Sequence, residues 1–147
     1  MVEDGDGRLY ASGIVVTNGN EHQRHVFVWE DGRWVTLGDG LPGGHGSAVY
    51  DLLIGNDGHL YVAGHGLIAG TSQGYVLKRT GDTWLTLAIA NGPVMTLAMT
   101  SGGLLYAGGN FTVIGGQNST RVAVWDGETW ATVGFNVNST VQVLAVG

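Results

Sequence analysis

The side chains of this sequence that could do chemistry crowd into its first third. His22 and His25 stand three apart beside Glu21, with Asn20 and Arg24 around them and Asp39 and His45 further along. Two imidazoles and a carboxylate are an ordinary donor set for zinc. An i, i+3 pair converges on one ion only where a regular element holds it, and a loop does not. The expectation is therefore solvated histidines and no metal, with Asn20, His22, Arg24, His25, Asp39, His45 and His65 as polar contacts for a ligand. His59 falls in a turn and has no partner in the sequence.

Asp51 is a further candidate, because it is a carboxylate inside the apolar run AVYDLLI, residues 48 to 54. A hydrated position on a channel is the plain account, and a ligand or cation held there is the sharper one. The run Asp4-Gly5-Asp6-Gly7 is like the start of a calcium loop but lacks the acidic residue that closes one. No Ser-His-Asp order, phosphate loop or pair of carboxylates stands out, and cysteine is absent. No catalytic residue and no cofactor is expected, and the chain is taken as not an enzyme.

The elements that must position these residues are repeated. VFVWEDGRWVTLG from Val26, VLKRTGDTWLTLA from Val76 and VAVWDGETWATVG from Val122 align without a gap. Each is two alternating runs around a glycine turn, the pattern of a β-hairpin. Before each hairpin comes a Leu-Tyr pair with a glycine three residues on: Tyr10, Tyr61 and Tyr106, spaced by 51 and 45 residues. A third anchor is an apolar run at 48–54, 93–99 and 141–146, in which Val49, Val94 and Val141 align, as do Leu52, Leu97 and Leu144. Periods of this length, with four short strands each, belong to β-propeller blades.

Composition agrees with tight turns between short strands. Of 147 residues 27 are glycine and only 2 proline, and charged residues are 12% against a usual ~25%. The net charge of −6, with six basic residues, argues against a nucleic-acid partner. No apolar run nears the ~18 residues of a membrane span, so no membrane partner is expected. The acidic opening MVEDGDGRLY has no hydrophobic run, so no signal peptide is expected in it.

The expected fold is an all-β propeller of three four-stranded antiparallel blades, approximately 1–46, 47–92 and 93–140. The first blade lacks most of its inner strand, and 141–147 is an extra one. Three blades are too few to close a ring. A homodimer resolves this if Val141, Val143, Leu144 and Val146 of each copy complete the other's first blade, giving six blades. A fragment of a longer chain or a larger ring are the other outcomes. The connections 14–25, 65–75 and 110–121, with 38–47, 88–92 and 134–140, are expected to be long loops sharing one face, where a ligand would bind.

The third repeat carries a resemblance. Leu105, Tyr106, Gly108, Gly109, Phe111, Thr112, Gly115, Gly116, Val122, Ala123, Trp125, Asp126, Gly127 and Trp130 match a pattern of kelch-like blades. It is similar to those of bacterial surface and secreted propellers and of a fungal cell-polarity surface protein. The resemblance weakens in the second repeat, where Arg79 stands for the first tryptophan and Ala88 for the closing glycine. It implies an extracellular or cell-surface location and an interaction role, with carbohydrate or a protein surface as the partner. A self-assembling structural fragment, and a glycan-processing or oxidase-type enzyme with a channel site, are the competing classes. Triplets at Asn110, Asn118 and Asn138 fit N-glycosylation sites.

Overall fold

A computed structural model of the chain describes residues 1–17, 21–42 and 47–147, with the backbone alone for Thr17, Glu21 and His22. Asn20 and His45 lie outside the described residues. Among these residues the chain is all-β, without helices, in three antiparallel sheets.

The first sheet orders β1 (Val2–Glu3), β2 (Leu9–Thr17), β3 (Glu21–Glu30) and β4 (Arg33–Thr36) side by side. The second holds β5 (Ala48–Ile54), β6 (Leu60–Ile68), β7 (Thr71–Thr80) and β8 (Thr83–Ala90). The third holds β9 (Val94–Met99), β10 (Leu105–Gly109), β13 (Val122–Trp125) and β14 (Trp130–Thr132). Each repeat thus makes one up-and-down sheet. The β3–β4 turn shows why glycine recurs there: Asp31 and Gly32 take φ of 50° and 78°, the left-handed values that a two-residue hairpin turn demands.

The sheets stack through two apolar layers. Tyr10, Val26, Leu37 and Leu41 of the first repeat meet Leu60, Val62, Tyr75, Leu77 and Trp84 of the second. On its other face the second sheet sets Tyr61, Ala63 and Val76 against Leu97, Leu105, Ala107, Ala123 and Trp130 of the third. The alternation of a strand explains this, since neighbours such as Tyr61 and Val62 serve opposite layers.

Several expectations need correction. The connections 14–25 and 65–75 are not loops, because β2 continues to Thr17 and β3 starts at Glu21, while β6 and β7 run to Ile68 and from Thr71. β-Branched residues such as Ile14, Val15, Val16 and Ile68 favour extended backbone, and Ala69-Gly70, both at positive φ, close the second hairpin. The segment 88–92 is largely strand as well, since β8 reaches Ala90.

The second sheet has six strands, not four: β11 (Val113–Ile114) and β12 (Gln117–Asn118) come from the third repeat and extend the edge of β8 through Ile114 and Ala90. Asn91 fixes this addition, its Oδ1 accepting from Thr112 N at 2.9 Å and Val113 N at 3.0 Å.

The segment of Val141, Val143, Leu144 and Val146 forms no strand within the chain. It packs instead on the outer face of the third sheet. Val141 N donates to Gly109 O at 3.0 Å, Leu144 N donates to Thr96 Oγ1 at 3.1 Å, and both side chains sit over Gly108. At the opposite end, β1 pairs with β2 only through Val2–Tyr10 and Glu3–Leu9. Val62, Ala63 and Gly64 of β6 pair with Leu52, Asp51 and Val49. Their counterparts Ala11, Ser12 and Gly13 have no such partner among the described residues.

Candidate hollows between the sheets

Among the described residues, those singled out from the sequence are not brought together. Arg24 donates from Nε to Ser47 O at 2.9 Å, tying the first sheet to the start of β5. His25 pairs with Gly13 of β2 and leans on Phe27, ring centroids 6.3 Å apart; its Nδ1 is buried without a partner among the described residues. His22 lies in β3 opposite Val16. Asp39 is exposed, and His65 Nε2 is 2.9 Å from Ser72 Oγ across the β6–β7 hairpin. The Asp51 carboxylate accepts Leu97 N at 2.8 Å, a link between inner strands. Among the described residues no hydrogen bond joins any two of these side chains, and no three of His, Asp and Glu gather to hold a metal.

What the fold does build is a pair of equivalent hollows at the opposite end of the sheets, beside the short turns. One lies between the first and second sheets, lined by Tyr10, Leu37, Ile54, Gly58, Arg79 and Gly81. The other lies between the second and third, where Tyr61, Leu87, Met99, Gly103, Trp125 and Gly127 take the same repeat positions. The latter encloses about 260 Å³, near the lower end of the ~300 Å³ from which ligand clefts run.

Its polar side is a network on Asp57. Oδ2 accepts from Tyr61 Oη at 2.7 Å and Lys78 Nζ at 2.8 Å, while Oδ1 accepts His59 N at 3.1 Å. Partial burial pushes this carboxyl up, but the hydrogen bonds from Lys78, Tyr61 and His59 outweigh it and hold the pKa at about 2. Partial burial also acts on Lys78, lowering its pKa, and the bond to Asp57 more than reverses this. The pair is therefore ionised at neutral pH, with the ammonium 5.3 Å from the Tyr61 ring centre.

The apolar side is Leu85, Leu87, Met99 and Trp125. Trp125 is braced by Trp130, ring centroids 5.6 Å apart, and Trp130 Nε1 donates to Leu87 O at 3.0 Å. Asn56 closes the floor, giving its amide to Thr100 O at 3.0 Å and Ser101 O at 2.8 Å.

A carboxylate, an ammonium and an amide opposite an indole can hold a small, neutral, hydroxyl-rich molecule. The polar groups take its hydroxyls, and the aromatic wall takes its C–H face. Sequence reasoning missed this site by weighing long connections over short turns. The signal was present in Asn56-Asp57 preceding Tyr61, with Lys78 where the other repeats carry Val28 and Val124.

No protein-family model matches the chain, and no curated protein does. Among solved structures, a fucose lectin from Kordia zhangzhouensis in complex with methyl-fucoside has a similar fold. The TM-score is 0.51 over 92% of this chain and 97% of that one, at 13% sequence identity. At that identity the likeness concerns the fold alone.

Proposed function

We propose that the chain is a non-catalytic β-propeller module that binds carbohydrate, with a sugar ring seated in the hollow between the second and third sheets. The observation that carries this is the Asp57–Lys78–Tyr61 network facing Trp125 across that hollow. The structural neighbour, a fucose lectin solved with methyl-fucoside, favours the same ligand class. The repeats are blades of the kelch-like kind, at approximately 1–46, 47–92 and 93–140. Two copies close a six-bladed ring, residues 141–147 of each lying along the open edge of β2 in the other. The two symmetry-related hollows of one ring would give avidity for clustered glycans. An extracellular or cell-surface setting goes with that role.

Screening on a glycan array, followed by calorimetry with the best monosaccharide glycoside, tests the proposal. Trp125→Ala and Lys78→Met should each weaken binding at least tenfold, about 1.4 kcal/mol. An array without signal, or binding that both substitutions leave unchanged, overturns it.

A further inference from the structure

The first sheet has a face that nothing among the described residues covers. At both internal junctions, the later sheet turns the face bearing its strand-end tryptophan toward the earlier sheet. A polar tie crosses each: Arg79 Nη1 donates to Leu37 O at 3.2 Å, and Trp130 Nε1 donates to Leu87 O at 3.0 Å. Leu37 and Leu87 each stand three residues after a strand-end tryptophan, Trp34 and Trp84. On the first sheet the same face consists of Leu9, Phe27, Trp29 and Trp34, none of which joins either apolar layer. Trp29 and Trp34 are both 42% exposed and lie edge to face, centroids 5.3 Å apart. Paired exposed indoles on a flat sheet mark a surface made to be covered.

The other end of the chain presents the complementary half. Tyr106 and Val133 stand where Tyr61 and Leu87 stand in the second sheet, and Val133 O receives no hydrogen bond among the described residues. One end therefore has the tryptophan face without its cover, and the other has the cover without its tryptophans. Another copy of the same chain supplies both at once, and a twofold ring satisfies both ends of both copies.

We propose that the Trp29–Trp34 face is an intersubunit surface whose occupant is the third sheet of a second copy, Trp34 Nε1 donating to the partner's Val133 carbonyl. This rests on the ring described under the proposed function and adds the residues that form its junction. The junction also brings Trp29 of one copy to the partner's Tyr106, as Trp125 and Tyr61 share the hollow inside the chain. A further hollow is thereby made to which each copy gives half.

Sedimentation velocity on the sugar-free full chain across a micromolar range tests this, with Trp34→Ala, Trp34→Phe and Tyr106→Ala beside the wild type. The wild type should sediment at twice 15.3 kDa, with tryptophan fluorescence shifting red on dilution. Trp34→Ala and Tyr106→Ala should weaken dimerisation at least tenfold; Trp34→Phe, which keeps a ring and loses the donor, should weaken it less. A 15.3 kDa species at every concentration overturns the proposal. So does a mass of three or more chains, or a dimer untouched by all three substitutions. The hollow between the second and third sheets lies within one chain, so glycan binding by a monomeric variant is scored separately from assembly.

Discussion

The carboxylate of Asp51 and the backbone N–H of Leu97 are hydrogen-bonded at 2.8 Å, joining the inner strand of one sheet to that of the next. Thr96, the repeat equivalent of Asp51, does the same one step on, its Oγ1 accepting Leu144 N at 3.1 Å. A polar residue in an otherwise apolar strand thus serves as a spacer that sets the pitch from sheet to sheet. The last such bond holds the tail where the inner strand of a following blade would stand.

Asp51→Ala should destabilise the protein by about 1–3 kcal/mol, because it leaves the Leu97 N–H without its acceptor. Asp51→Asn retains an accepting oxygen and should stay within about 1 kcal/mol of wild type. Urea unfolding of the two variants, compared at constant slope, checks both figures.

Acid should release the Asp57–Lys78 tie. A carboxyl held at about 2, below its ordinary 3.8, stabilises the fold above 3.8 and loses that contribution as pH falls toward 2. The carboxylate side chain is 35% exposed, and solvent screening limits the effect to about 0.5–1 kcal/mol. Thermal melts across that window should show the wild type losing more stability than Lys78→Met. Equal losses would mean that the ion pair contributes nothing.

Gly92→Ala should be among the most damaging substitutions in the chain. A Cβ there would strike the Asn110 carbonyl, which is backbone and cannot swing away. A loss of about 3 kcal/mol is expected, at the upper end of what overpacking costs. Gly102→Ala, whose Cβ would meet only Thr100 Oγ1 at 3.9 Å, is the matched control and should melt near the wild type.

Asn91→Ala should free β11 and β12 from the second sheet. Its side chain makes three hydrogen bonds to the 112–113 segment, at 2.9, 3.0 and 2.9 Å. Amide exchange of Gly115, whose N–H donates to Ile89 O at 3.0 Å, should quicken by at least tenfold while that of Val76 and Leu77 stays slow, with a global cost of about 1–3 kcal/mol.

The three sheets were legible because hairpin turns and Leu-Tyr anchors recur in register, and local turn chemistry dictates hairpins almost alone. The six-stranded second sheet was not, since it depends on Asn91 meeting Thr112 across 21 residues of sequence. Nor were the extended hairpins at 14–25 and 65–75: in the first, His22 and Arg24 suggested a loop, although Val16 and Ile14 stand opposite them in the partner strand. The hollow at Asp57 is a tertiary product: Lys78 and Tyr61 pair across β6 and β7, and Trp125 joins them only when the third sheet stacks on the second. Asp51 stands out in the sequence as a carboxylate in an apolar run, but its partner is a backbone amide that no pattern of side chains announces.

The lace of β11 and β12 over the edge of β8 has a consequence for how such a chain could grow or be recombined. A cut between the first and second sheets severs apolar packing and a few side-chain ties. A cut between the second and third also strips a strand edge bare and strands the Asn91 amide. The unit of modular exchange is thus the second and third repeats together, and insertions or circular permutants should be tolerated at Asp39 before they are tolerated at Asn91.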